Sequence, residues 1–124
     1  MNVVDSCGWL EYFADGANAD FFAPALENEH ELVVPSISIY EVFKRILQQR
    51  NERDALQAIA VMQEGIVADL DTALALSAAS LSVEFTLPMA DSVILATARA
   101  HGAILWTQDA DLKGLDGVRY IERM

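Results

Sequence analysis

The feature that most constrains this chain is an alternation: short apolar runs, each too brief for a helix, separated by longer stretches with helical spacing. Val3 and Val4 form a β-branched run ending at Asp5, after which Trp9, Leu10 and Phe13 recur at helical intervals up to a stop at Asp15-Gly16. A second amphipathic piece covers 19–28, and Leu32-Val33-Val34-Pro35 reads as another strand, closed by proline. The clearest helix is 36–49, with Ile39, Val42, Phe43, Ile46 and Leu47 on one face and Lys44, Arg45 and Gln48 on the other. Asn51 interrupts it, 52–63 is helical again, and Gly65 ends that piece before the strand Ile66-Val67-Ala68. Asp71 is placed to cap an alanine-rich helix over 72–85. Leu87-Pro88 opens a further helix that Gly102 closes, and the strand Ala103-Ile104-Leu105-Trp106, a polar turn over 107–111 and a last strand over 118–121 complete the chain.

Short apolar strands separated by helices call for crossover connections and a sheet covered on both faces. The expected class is therefore α/β: a three-layer α/β/α arrangement with a central, mostly parallel sheet of four to five strands. The 124 residues, 53% of them hydrophobic, suffice for one well-cored unit, and no repeat or linker divides them, so 1–124 is read as a single domain. The apolar stretches are well short of the ~20 residues that a membrane span needs. With no basic leader ahead of the first strand and with Cys7 as the one cysteine, the expected compartment is the cytoplasm.

In an open α/β sheet, ligands bind beyond the carboxyl ends of the strands. Four acids fall there: Asp5 after the first strand, Glu41 early in the helix after the second, Asp91 in the first turn of the helix from Pro88, and Asp109 after the fourth strand. Each has an ordinary structural explanation. Asp5 or Ser6 can cap the first helix, Ser38 and Glu41 fit a capping box, Asp91 complements a helix N-terminus, and Asp109 suits a turn. Their common edge is harder to explain that way. Carboxylates gathered within a few ångströms take up protons unless a cation compensates them, and Mg²⁺ or Mn²⁺, which prefer oxygen ligands, do so naturally.

At these residues the sequence resembles PIN domains, and more narrowly the VapC-type ribonuclease toxins of bacterial and archaeal toxin–antitoxin pairs. The landmarks are Val4-Asp5-Ser6, Ser38-x-x-Glu41, Leu87-Pro88-x-Ala90-Asp91, and Leu105-Trp106-Thr107-Gln108-Asp109-Ala110-Asp111-Leu112. The resemblance implies an acidic quartet, Asp5, Glu41, Asp91 and Asp109, that binds Mg²⁺ or Mn²⁺ and hydrolyses RNA phosphodiester bonds, with Glu41 or Asp109 assisting deprotonation. It assigns supporting positions to Ser6 and Thr107, and to Asp111 either a supporting role or the cap of the terminal turn. It also implies a homodimer and a cognate antitoxin whose C-terminal segment lies across the active-site groove. Cys7 and Trp9 stand at variable positions of the family, and Leu112 where phenylalanine is more usual.

A formal net charge of -11 argues against non-specific adhesion to phosphate. Local cations must then meet the RNA. Lys44 and Arg45 lie three and four residues after Glu41, near the same side of its helix, and are the first candidates, with Arg99 and Lys113 behind them. Cys7, His30 and His101 read as packed or surface residues, and the spacing of Trp9, Tyr12, Phe13, Phe21 and Phe22 suits a core or partner interface better than base stacking. A phosphatase or phosphotransferase with Asp5 as nucleophile is the alternative enzyme, but Cys7 stands where such enzymes place a second aspartate. A non-catalytic binding module is the remaining alternative, and it leaves four acids without a purpose.

Overall fold

Val3 and Val4 show how the layers arise. Adjacent on a strand, they must point to opposite sides, and both are fully buried. In the computed structural model, which describes residues 1–124, they lie on β1 (Asn2–Val4). Val4 packs with Trp9 of α1 (Ser6–Phe13) and with Phe22, Ala25 and Leu26 of α2 (Ala19–Leu26). Val3 faces the other way, toward Ile94, Leu95 and Ala98 of α6 (Met89–Ala100). Val33 and Val34 repeat the division on β2 (Val33–Pro35).

The first core continues into α3 (Ser36–Gln49) and α4 (Glu52–Met62) through Val42, Ala58 and Met62. On the opposite face, α5 (Thr72–Phe85) joins α6 through Leu74, Ala78, Val93 and Ala96. A fully buried aliphatic side chain contributes about 1.5–3 kcal/mol, so these two clusters, rather than helix propensity, hold the layers together. Gly8 sets how closely α1 sits on β1: a β-carbon there would come within 2.6 Å of Val4 and 2.7 Å of Phe22.

The strands, completed by β3 (Ile66–Ala68), β4 (Ile104–Thr107) and β5 (Val118–Tyr120), pair only in parallel. They form a three-stranded sheet, β1-β4-β5, and a two-stranded one, β2-β3, joined at the single parallel bridge Asn2–Leu32. The α/β/α class is thus observed, with five strands in the order β3-β2-β1-β4-β5 and a weak seam between β2 and β1. From β1 the chain first winds outward to β2 and β3, then returns to lay β4 on the other side of β1. The connections diverge at the carboxyl ends of β1 and β4, the position where such sheets bind ligands.

Helix starts explain several local expectations. Asp71 accepts from the Leu74 amide at 2.8 Å and so caps α5 as its sequence position suggests, while Asn51, marked in the sequence only as an interruption, caps α4 by accepting from the Asp54 amide at 2.8 Å. The Ser38–Glu41 capping box does not form. Pro35 already ends β2 and α3 begins at Ser36, which leaves Ser38 inside the first turn, buried, with its hydroxyl unpartnered. Neither Asp5 nor Ser6 caps α1: Asp5 occupies the N-cap position without a side-chain cap bond, and Ser6 points its hydroxyl elsewhere. Trp9 and Phe22 are core residues, as their spacing suggests. No single helix is long and apolar enough to cross a membrane.

Candidate metal centre and its groove

The site is built from strand ends. Register brings Val4 beside Trp106, so Asp5 and Thr107 emerge next to one another, and the Asp5 amide donates to the Trp106 carbonyl at 2.9 Å. The Thr107 hydroxyl donates to Asp5 Oδ2 at 2.7 Å and accepts from the Asp109 amide at 2.9 Å. One buried hydroxyl therefore ties the first carboxylate to the loop that carries another. That loop is stiffened again where the Asp111 amide donates to Asp109 Oδ1 at 2.9 Å, opening the short 3₁₀ turn Ala110–Leu112. Asp91 enters from the first turn of α6, whose buried face anchors it to the sheet.

Three of the four sequence-selected acids converge: carboxylate oxygens of Asp5, Asp91 and Asp109 all lie within 4.8 Å of one another. Their crowding leaves an electrostatic mark. Burial, reinforced by the charges of Asp5 and Asp109, pushes the Asp91 carboxyl up from 3.8 to about 8. Asp5, only 4% exposed, is also raised, chiefly by burial and further by Asp109, although the Thr107 and Cys7 hydrogen bonds pull it down. Both shifts are the response of carboxyls crowded together away from water without a positive partner.

Glu41 stands outside this cluster of three. It lies in the same groove, and its Oε1 accepts from the Ser6 hydroxyl at 2.7 Å, which fixes it beside the start of α1. Asp111 is exposed and engages the site through its amide and through a charge that also raises Asp91. Cys7 donates to Asp5 Oδ2 at 3.4 Å and lies 3.7 Å from the Thr107 hydroxyl. Burial and the Asp5 charge push its thiol up to about 12, so it is no thiolate nucleophile.

The acids open into a groove of about 1040 Å³, lined on one wall by Tyr40, Glu41, Lys44 and Arg45 of α3 and on another by Leu10, Glu11 and Phe13 of α1. Lys44 and Arg45 thus face the acids' groove, Lys44 with its ammonium 5.7 Å from the Tyr40 ring. Arg99 and Lys113 do not line it; they stack on Phe85 and Tyr120. Two further cations do, Arg50 and Arg123, which no sequence pattern singled out. Neither did any pattern mark Asn18, whose buried amide donates to Gln108 Oε1 at 2.9 Å and to the Glu122 carbonyl at 3.0 Å. His30 and His101 are exposed, the latter with Nδ1 2.9 Å from the Thr97 carbonyl at the end of α6.

The donor set, three carboxylates with no histidine among them, suits a hard divalent ion rather than zinc or copper. Comparison with known proteins places this geometry in context. The family model described as PIN domain matches residues 3–118. A structure described as a toxin–antitoxin complex from Klebsiella pneumoniae contains a chain 22% identical, with a TM-score of 0.80 and 96% of each chain covered. The sarcin-ricin-loop-cleaving toxin VapC20 of Mycobacterium tuberculosis is 19% identical, with a TM-score of 0.77, covering 96% of this chain and 99% of its own. VapBC2 of Rickettsia felis, solved with a DNA fragment from its promoter, is 12% identical with a TM-score of 0.74, covering 98% and 97%. No curated protein matches the sequence.

Proposed function

We propose, since this chain belongs to the PIN domain family, that it is a metal-dependent endoribonuclease and the toxin of a type II toxin–antitoxin pair. The observation that carries the reading is the convergence of Asp5, Asp91 and Asp109 within 4.8 Å at the switch point of the sheet, beside a groove with cations on its wall. The similar folds of toxin–antitoxin proteins support the biological role. In this reading the protein works in the cytoplasm as a homodimer, and a cognate antitoxin covers the groove.

Asp5, Asp91 and Asp109 would hold Mg²⁺ or Mn²⁺, with Glu41 as the fourth acid of the centre. Bound there, the ion would supply positive charge at the scissile phosphate and lower the pKa of the attacking water. The remaining work belongs to the chain. Thr107 keeps the Asp5 carboxylate aimed out of the sheet, and the same hydroxyl sets the Asp109 loop. Asp91, raised first by burial and then by the charges of Asp5 and Asp109, is the carboxyl whose ionised form a bound cation would favour most. Glu41, oriented by Ser6 and outside the crowded three, is placed to accept the proton of the attacking water. Lys44 and Arg45 meet phosphates of the flanking RNA.

Induced expression followed by mapping of new RNA 5′ ends tests this. Wild-type protein is expected to arrest growth and to generate a discrete set of new ends, absent with Asp5→Asn expressed at the same level. Growth arrest that persists in Asp5→Asn, with no new ends in either case, would reject the ribonuclease reading.

A further inference from the structure

Eight cations serve nineteen acids in this chain, and half of the cations, Lys44, Arg45, Arg50 and Arg123, line the groove. Most of the eight have visible employment. Arg50 pairs with Asp54 at 2.8 Å, while Lys44, Arg99, Lys113 and Arg119 lie over Tyr40, Phe85, Tyr120 and Trp106. Arg45, Arg53 and Arg123 have neither a carboxylate partner nor a ring beneath them, despite the acid excess, and of these three only Arg45 and Arg123 line the groove.

Arg123 is one residue from the C-terminal end of the sequence, yet its root is held. The Ile121 amide donates to the Thr107 carbonyl at 3.0 Å, extending the β4–β5 ladder past its last paired strand residue. The Glu122 carbonyl then accepts from the Asn18 side chain at 3.0 Å, and the same amide group donates to Gln108 at 2.9 Å. Asn18 is 2% exposed, so this clamp is shielded from water. The backbone immediately before Arg123 is thereby locked to the residue immediately before Asp109. Sheet order gives the placement its meaning. The acids sit at the ends of β1 and β4; α3 brings Lys44 and Arg45 from β2 on one side, and the segment after β5 brings Arg123 from the other.

We propose that Arg123 is a substrate-binding residue that takes a backbone phosphate of the RNA on the β5 side of the acid cluster. The strand is then gripped on both sides of the scissile bond, with Asn18 as the positioning residue for the tail. This rests on the ribonuclease reading above. A guanidinium suits the role, since it presents a planar fork to phosphate and keeps its charge at any working pH.

The test is steady-state cleavage, over a salt series, of a single-stranded transcript that the wild-type protein cuts. Arg123→Ala is expected to lower kcat/KM by about three- to tenfold through KM, with kcat held within about twofold. Its log–log salt slope should be shallower by about 0.7, the share of one phosphate contact on a single strand. Arg123→Lys should keep the slope. Arg123→Ala with wild-type kcat/KM and slope would overturn the proposal and leave the nuclease intact. A wild-type protein that cuts no RNA would overturn both.

Discussion

Asp91→Asn is the substitution whose consequences follow most directly from the geometry. It keeps the shape of the side chain and removes one charge from a cluster of three. In the metal-free protein the Asp91 carboxyl is raised from 3.8 to about 8, first by burial and then by Asp5 and Asp109. The folded state therefore holds this proton up to a higher pH than the unfolded chain does, and stability falls as pH rises between those values. Fully enclosed, such a carboxyl would cost about 5 kcal/mol by pH 8; Asp91 is only half-buried, and solvent screening reduces the figure to about 2–3 kcal/mol. At roughly 3–5 °C per kcal/mol for a chain of this size, Asp91→Asn should raise the melting temperature in EDTA at pH 8 by about 6–15 °C. The gain should shrink toward pH 5, where the wild-type carboxyl already carries its proton. Millimolar Mn²⁺ should reverse the order, stabilising the wild type by mass action and the variant far less. Thermal melts across that pH range, with and without Mn²⁺, give the answer. A variant that melts with the wild type at pH 8, or a gap that does not narrow on acidification, would refute the claim that these carboxylates crowd one another.

Thr107→Val deletes the hydroxyl that joins Asp5 to the Asp109 amide and should cost about 1–3 kcal/mol in urea melts, with a larger proportional loss of RNA cleavage than of stability. Cys7, with its thiol pushed up to about 12, should resist iodoacetamide at pH 8 in the native protein and react at once in urea; rapid native labelling would contradict the burial that raises it. Asn18→Ala empties a buried clamp and should cost about 1–3 kcal/mol, with Gln108 and the tail showing faster hydrogen exchange than in the wild type.

Strand ends made the acids legible. Asp5 and Asp109 follow short apolar runs whose pairing partner is fixed by parallel register, and Asp91 follows a proline that marks a helix start, so a sequence pattern alone places them at one edge. Glu41 was legible as an acid of that edge but its local chemistry was not: the spacing Ser-x-x-Glu reads as a capping box, whereas α3 starts at Ser36, directly out of β2, so Ser38 lies inside the first turn and cannot be its N-cap. That tight junction sends Glu41 across to Ser6, a contact 35 residues away in sequence that no local pattern encodes. The same limit hides the Asn18 clamp, which joins positions separated by 90 and 104 residues. Arg123 shows no periodicity and no motif; only the path of β5 brings it to the groove. The seam between β2 and β1, bridged at one point, was equally invisible, because each strand alone has the apolar composition of a fully paired one.

Cleavage by the purified protein tests the central claim most directly. A set of labelled transcripts is incubated with wild-type protein and with Asp5→Asn, in EDTA, in Mg²⁺ and in Mn²⁺, after circular dichroism has shown both to be folded. The account predicts defined cleavage by the wild type with either metal, none in EDTA, and a loss of at least about a hundredfold in Asp5→Asn. Cleavage that survives in EDTA, or in folded Asp5→Asn at the wild-type rate, would contradict it.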